Sequence, residues 1–295
     1  MPDTTLPPAQ DDASAPAPPF AAAKLRDYAS AELARAITLL SRRGGRIHEG
    51  VHQARKSLRR TRATLALGGA SLGPGAALID REARNVNRGL SKLRDAQALI
   101  EVIDHLLRKT PPPEEAALLR RARRIAARAR AERAQRALTG DPALANRRAL
   151  LTTLHAALLS LPWNALDANH VHAALAQSTS RVERAGECAL ASNRDEDWHR
   201  WRRRMRRLSQ QHRVLAAAAP DLIVDRKRWK SLAVMLGESQ DYALLRDHCG
   251  SRSPFVPADR RALRAMADHG TRKTREEIGG WMGGSAATEV LEAKD

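Results

Sequence analysis

Between residues 22 and 43 the apolar side chains Leu25, Tyr28, Ala29, Leu33, Ala36, Ile37 and Leu40 recur three or four positions apart, which lines them along one face of a helix. Gly44-Gly45 stops that element. A second helix follows from about 46 to 67, closed by Gly68-Gly69 and the turn Gly73-Pro74-Gly75. Residues 76–109 read as one long helix or two in line, broken near Gly89 or the Leu90–Asp95 motif, and Pro111-Pro112-Pro113 marks a boundary. The next helix, 114–138, has acids first and arginines after, as the helix dipole favours, and another runs from Pro142 to about 161. Beyond Pro162 the pattern predicts helices near 168–190, 195–219, 221–248 and 258–278, then the Gly-rich run Gly279-Gly280-Trp281-Met282-Gly283-Gly284. Nowhere does an alternating β-branched pattern persist, so the fold is expected to be all-α.

Polar positions within the second helix are less ordinary. At 100° per residue, His52, Arg55, Arg59 and Arg62 fall on one narrow stripe, with Arg60 beside it. No acid occurs between Gly50 and Ile79 to neutralise them. Like charges one turn apart each cost a helix a few tenths of a kcal/mol, so the stripe calls for a counter-charge from elsewhere. For one such stripe, a solvated basic face would suffice.

The stripe occurs twice. His199, Arg202, Arg206 and Arg207 repeat the spacing of His52, Arg55, Arg59 and Arg60, 147 residues on (199 − 52). Leu90-Ser91-Lys92-Leu93-Arg94-Asp95 is likewise matched by Leu236-Gly237-Glu238-Ser239-Gln240-Asp241, with Asp241 146 residues after Asp95 (241 − 95). Arg81 pairs with Lys227, and Arg84 with Lys230, at that same offset. Landmarks in one order at one offset, allowing a single-residue gap, imply an internal duplication. The second copy has Ser209 where the first has Arg62, and Arg213 is expected to supply the missing cation.

These motifs resemble the CHAD family, the conserved-histidine α-helical domain, over roughly residues 24 to 280. The resemblance implies two pseudo-twofold-related helical bundle halves around a basic central pore that binds inorganic polyphosphate, and association with polyphosphate granules. Ser91 stands where the family usually has Gly. The expected organisation is a disordered Pro/Ala-rich tail at 1–22, a domain at 23–282 with halves 23–162 and 163–282, and a flexible C-terminus at 283–295.

Charge agrees with a polyanionic partner. All 51 basic residues lie at or after Lys24, against 30 of the 33 acids, so the body carries +21 (51 − 30). Two cysteines make no disulfide framework, and no secretory signal or long apolar run is apparent, so a cytoplasmic protein without membrane insertion is expected.

The residues assigned to polyphosphate are His52, Arg55, Arg59, Arg60, Arg62, His199, Arg202, Arg206, Arg207 and Arg213, with Arg81, Arg84, Arg88, Lys227 and Lys230 on the same surface. Guanidinium groups bind phosphate oxygens bidentately, and a helical stripe advances about 4.5–6 Å per step, a ladder for a linear polymer. His52 and His199 beside a polyanion would protonate more readily. Free phosphate or sulfate can occupy the same positions, and granule proteins are further candidate partners. Asp95 and Asp241 are read as orienting partners or helix-end ion pairs. The arginines of 120–136 lack a second copy and read as a solvated face.

Other classes fit less well. His48-Glu49-Gly50-Val51-His52 satisfies the zinc-protease pattern, but five cations follow within ten residues and the repeat has Asp195 in place of His48. Neither a P-loop nor a Mg²⁺-binding carboxylate cluster is evident, so a non-enzymatic protein with no cofactor and no metal is expected. Nonspecific nucleic-acid binding is the alternative, weakened by only 3% aromatic residues for base stacking and by core roles expected for Trp198 and Trp201.

Overall fold

A computed structural model describes residues 22–222, 226–251 and 253–292; the side chains of 92, 94–96, 133, 137, 226–228 and 283–292 lie outside that description. Among the described residues there is no strand, and the helices are α1 (Ala22–Leu40), α2 (Ile47–Gly68), α3 (Gly73–Gly89), α4 (Ser91–Arg108), α5 (Pro113–Gly140), α6 (Ala145–Leu159), α7 (Ala168–Ser192), α8 (Asp195–Ala218), α9 (Arg226–Asp247) and α10 (Pro257–Glu292). The all-α expectation holds, and the 76–109 stretch is two helices that break at Leu90, where Gly89 meets the Leu90–Asp95 motif.

Local chemistry sets the boundaries. Gly69 and Gly73 take positive φ (50° and 68°) in the turn between α2 and α3, where a side chain would be strained. Asp167 caps α7 by accepting the His170 amide at 2.8 Å. Three acids, Asp195, Glu196 and Asp197, occupy the first turn of α8 and complement its dipole.

One boundary differs from expectation. Helix α10 continues through Gly279 and Gly280 to Glu292 rather than ending near 278. Each glycine costs a helix about 1 kcal/mol. Ile278 is fully buried, however, and Trp281 and Met282 pack on the main core, so tertiary contact overrides local propensity. The tail at 1–21 lies outside the described residues.

The core is in two parts, and neither respects the repeat boundary. The larger joins α1, α2, α3 and α6 to α7, α8 and the start of α9, around Leu33, Leu58, Leu67, Trp201, Met205 and Leu208. The smaller joins α4 and α5 to the end of α9 and the start of α10, around Ile103, Leu119, Leu245 and Leu263. Each core therefore combines helices from 23–162 with helices from 163–282.

Four helices close a ring of neighbours: α2 packs on α8, α8 on α9, α9 on α4, and α4 on α2. The two motif helices are adjacent members of that ring. Gly50 lets α2 approach α1, since a Cβ there would collide with the Leu39 carbonyl, and Gly186 of α7 lies against the Trp201 ring of α8.

Candidate polyanion-binding site

The stripe on α2 faces α3 and α4. His52 Nδ1 stands 3.9 Å from Oε1 of Glu101 on α4. Nη1 of Arg55 donates to the Asn87 carbonyl on α3. Arg62 clasps Asp80 of α3 bidentately, Nε to Oδ1 at 2.9 Å and Nη2 to Oδ2 at 3.1 Å. His52, Arg55, Arg59 and Arg62 are all half-buried, so the row is walled in.

The stripe on α8 faces α9 in the corresponding way. His199 Nδ1 meets Gln240 Oε1 at 2.9 Å. Gly237 lies against the Arg202 guanidinium, where a Cβ would stand 3.4 Å from Nη2. Both contacts join the His/Arg motif to the Leu-Gly-Glu-Ser-Gln-Asp motif, which explains why the two occur together. Asp241 of the same motif acts on the charge of Arg202, as an orienting partner would. Asp95 lies outside the described side chains.

Electrostatic cost collects on the second row. Burial, and after it the nearby Arg206, pulls Arg202 down to about 10, against the opposing pull of Asp241. Its Nε is buried without a hydrogen-bond acceptor. Arg207 is lowered by burial first; Asp80 works against that, while Arg62, Arg204 and Arg181 add to it. Nη2 of Arg207 stands 3.6 Å from Asp80 Oδ1, so cations from both copies meet at one carboxylate.

Not every assigned residue joins these rows. Arg60 turns toward α1 and donates from Nη1 to Oε1 of the buried Glu32 at 2.7 Å. Arg213 is exposed farther along α8, where Tyr28 of α1 feels its charge beside those of Arg60 and Arg35. Arg81, Arg84 and Arg88 are exposed on the face of α3 opposite Ile79, Ala83 and Val86, where Arg81 pairs with Glu82 and Arg88 with Asn85. Lys230 is exposed on α9, and the side chain of Lys227 lies outside the described residues.

Sequence reasoning missed Asp80, although it is the first acid after the uncompensated stretch. It also missed Arg181, Arg204, Arg246 and Arg275, which have no place in the motifs. On the exposed face of α5, Arg121 pairs with Asp259 and Arg123 with Asp104, tying α5 to α10 and α4. In the zinc-protease pattern, His48 is held below its ordinary value by burial and then by Arg130. Among the described residues, no group of three or more His, Cys, Asp or Glu is placed to hold a metal ion.

A family model described as the CHAD domain matches residues 28–250. The chain belongs to the CHAD domain family. Its fold is similar to that of PptA from Streptomyces chartreusis, at a TM-score of 0.62 and 21% identity over 90% of this chain and 100% of that one. It is also similar to the crystal structure of the CHAD domain from the plant Ricinus communis, with a TM-score of 0.61 and 17% identity over 92% and 96% of the two chains. Both likenesses are of fold. A comparison with curated proteins finds no match. No described helix of this CHAD domain is long and apolar enough to cross a membrane.

Proposed function

We propose that this CHAD domain holds inorganic polyphosphate along the two His/Arg rows, in the basic pore that the family resemblance implies, and that it acts by binding rather than catalysis. The supporting observation is the state of Arg202 and Arg207. Both guanidiniums are half-buried, crowded by other arginines and lowered in pKa, so the unliganded site carries a cost that a polyanion relieves. A linear phosphate polymer suits that site because its charges repeat along one axis, as the rows do. The ring of α2, α8, α9 and α4 supplies the wall between which the chain would run.

Among polyanions, base-stacking nucleic acid is disfavoured by the aromatic residues. Trp198 and Trp201 are 6% and 1% exposed, and no described Trp, Tyr or Phe is in the exposed class. Association with cytoplasmic polyphosphate granules follows from the same proposal, since a protein that grips the polymer would collect where it accumulates. The deciding experiment is competition of long-chain polyphosphate against single-stranded RNA of matched charge, with zinc measured on the same sample. Polyphosphate should win at equal charge; equal competition, or stoichiometric zinc, would overturn the reading.

A further inference from the structure

The row on α8 does not end at His199. It opens into a cleft of about 440 Å³ between the start of α8, the end of α9 and α10, a volume typical of small-ligand sites. Arg200, Arg203, Arg246 and Arg275 line this cleft together with His199 and Arg202. Asp195 sits between two of them, with one oxygen 2.6 Å from Nη2 of Arg246 and the other 2.6 Å from Nη2 of Arg275. The carboxylate is 56% exposed, whereas the side chains of Arg246 and Arg275 are only 21% and 13% exposed.

That difference fixes which partner is removable. Arg275 is also held by the Asn193 carbonyl at 3.1 Å and lies over the Trp198 ring at 5.0 Å, and Arg246 reaches Asp268 at 3.8 Å. Asp195 can therefore swing into solvent while the two guanidiniums keep their places. What remains is a pair of fixed arginines spaced to grip one anionic group by two oxygens.

The first copy has no such ending. At the repeat offsets, His48 replaces Asp195, Gln53 replaces Arg200 and Ile100 replaces Arg246, while Lys56 keeps a cation at the place of Arg203 and the side chain of Arg94, at the place of Gln240, lies outside the described residues. Around His52 stand Glu101 and Gln97, the latter holding Arg130 at 2.8 Å. Among the described residues, the arginine pair bridged by Asp195 therefore occurs at the second-copy end of the ladder only.

We infer that this cleft takes the terminal phosphate group of a polyphosphate chain, displacing Asp195 from Arg246 and Arg275. The inference rests on the proposed polyphosphate reading and adds a polarity to it. A chain end carries an extra ionisable oxygen with a pKa near 6, so near neutral pH it bears almost two charges where an interior unit bears one. A cleft lined by five arginines, against Glu196, Asp247 and a displaceable Asp195, favours the more highly charged group.

The test compares tripolyphosphate, which is mostly chain end, with long-chain polyphosphate, which is mostly interior. Titrations use the full chain, wild type and the double variant Arg203→Gln/Arg246→Gln, with melting temperatures confirming the fold. The single variant Arg203→Gln, at an exposed position, serves if the double variant melts early. The double variant should bind tripolyphosphate about tenfold more weakly and long-chain polyphosphate less than about threefold more weakly. Asp195→Asn should bind tripolyphosphate more tightly than wild type. Equal losses for both probes would make the cleft an ordinary rung, and no loss for either would remove it from the site; each overturns the inference. A wild-type protein that binds neither probe overturns the polyphosphate reading instead, and this one with it.

Discussion

Arg62 of the first repeat and Arg207 of the second hold the same carboxylate. Asp80 receives Arg62 at 2.9 and 3.1 Å and has Nη2 of Arg207 at 3.6 Å, so one short acidic side chain ties the two motif helices across the pseudo-symmetric contact. Replacing it by Asp80→Ala leaves two guanidiniums facing each other. The unliganded protein should lose about 1.5–3 kcal/mol in urea denaturation, the range for hydrogen bonds to charged groups. Long-chain polyphosphate should restore much of that loss, and a loss indifferent to polyphosphate would show the cluster to be purely structural.

Arg59 and Arg206 are equivalent positions on the two rows. Arg59→Glu combined with Arg206→Glu should abolish polyphosphate binding while the far-ultraviolet helical signal stays unchanged. Binding that survives would place the polymer elsewhere.

Binding through roughly eight phosphate contacts implies counterion release. The logarithm of the association constant should fall against the logarithm of salt concentration with a slope of about −6 to −7. An affinity indifferent to salt would exclude the ladder.

Arg202 trades stability for binding. Its pKa is lowered in the folded protein, so near and above pH 10 the unfolded chain holds more protons there than the folded one, and stability rises with pH. The cost is carried in full below about pH 10 and fades as pH climbs beyond it. Arg202→Met should therefore be about 1–2 kcal/mol more stable than wild type at pH 7–8, with the gap closing above pH 10, and should bind polyphosphate more weakly. A less stable variant would show that the contact with Asp241 outweighs desolvation.

Arg60 separates stability from binding in the opposite direction. It shares a nearly buried ion pair with Glu32, the two side chains 14% and 11% exposed. Arg60→Met strands that carboxylate and should cost about 3–5 kcal/mol in thermal or urea unfolding. Polyphosphate affinity, measured below the new melting temperature, should change by less than about threefold.

The helices, most of their limits and the two motif rows were legible because they depend on short-range periodicity and on turn residues that act locally. The end of α10 was not, since what keeps Gly279 and Gly280 helical is the burial of Ile278 and the packing of Trp281 on a core the local sequence does not display. The row residues were found through their repetition, but repetition cannot tell which arginines share a face with a distant acid. Arg60 and Arg207 occupy matching places in the two motifs. One finds Glu32 and the other Asp80, and neither acid belongs to the repeat. Arg246 and Arg275 escaped for a related reason: neither belongs to the repeated motifs, and Ile100 stands at the repeat position of Arg246.

The interleaving of the two cores makes the repeat an evolutionary unit without making it a folding unit. A chain ending at Pro162 would present the inner faces of α2 and α4 bare, each shaped for a helix on the missing segment. Such a fragment has one natural remedy, which is to pair with its complement or with a second copy of itself in place of that segment.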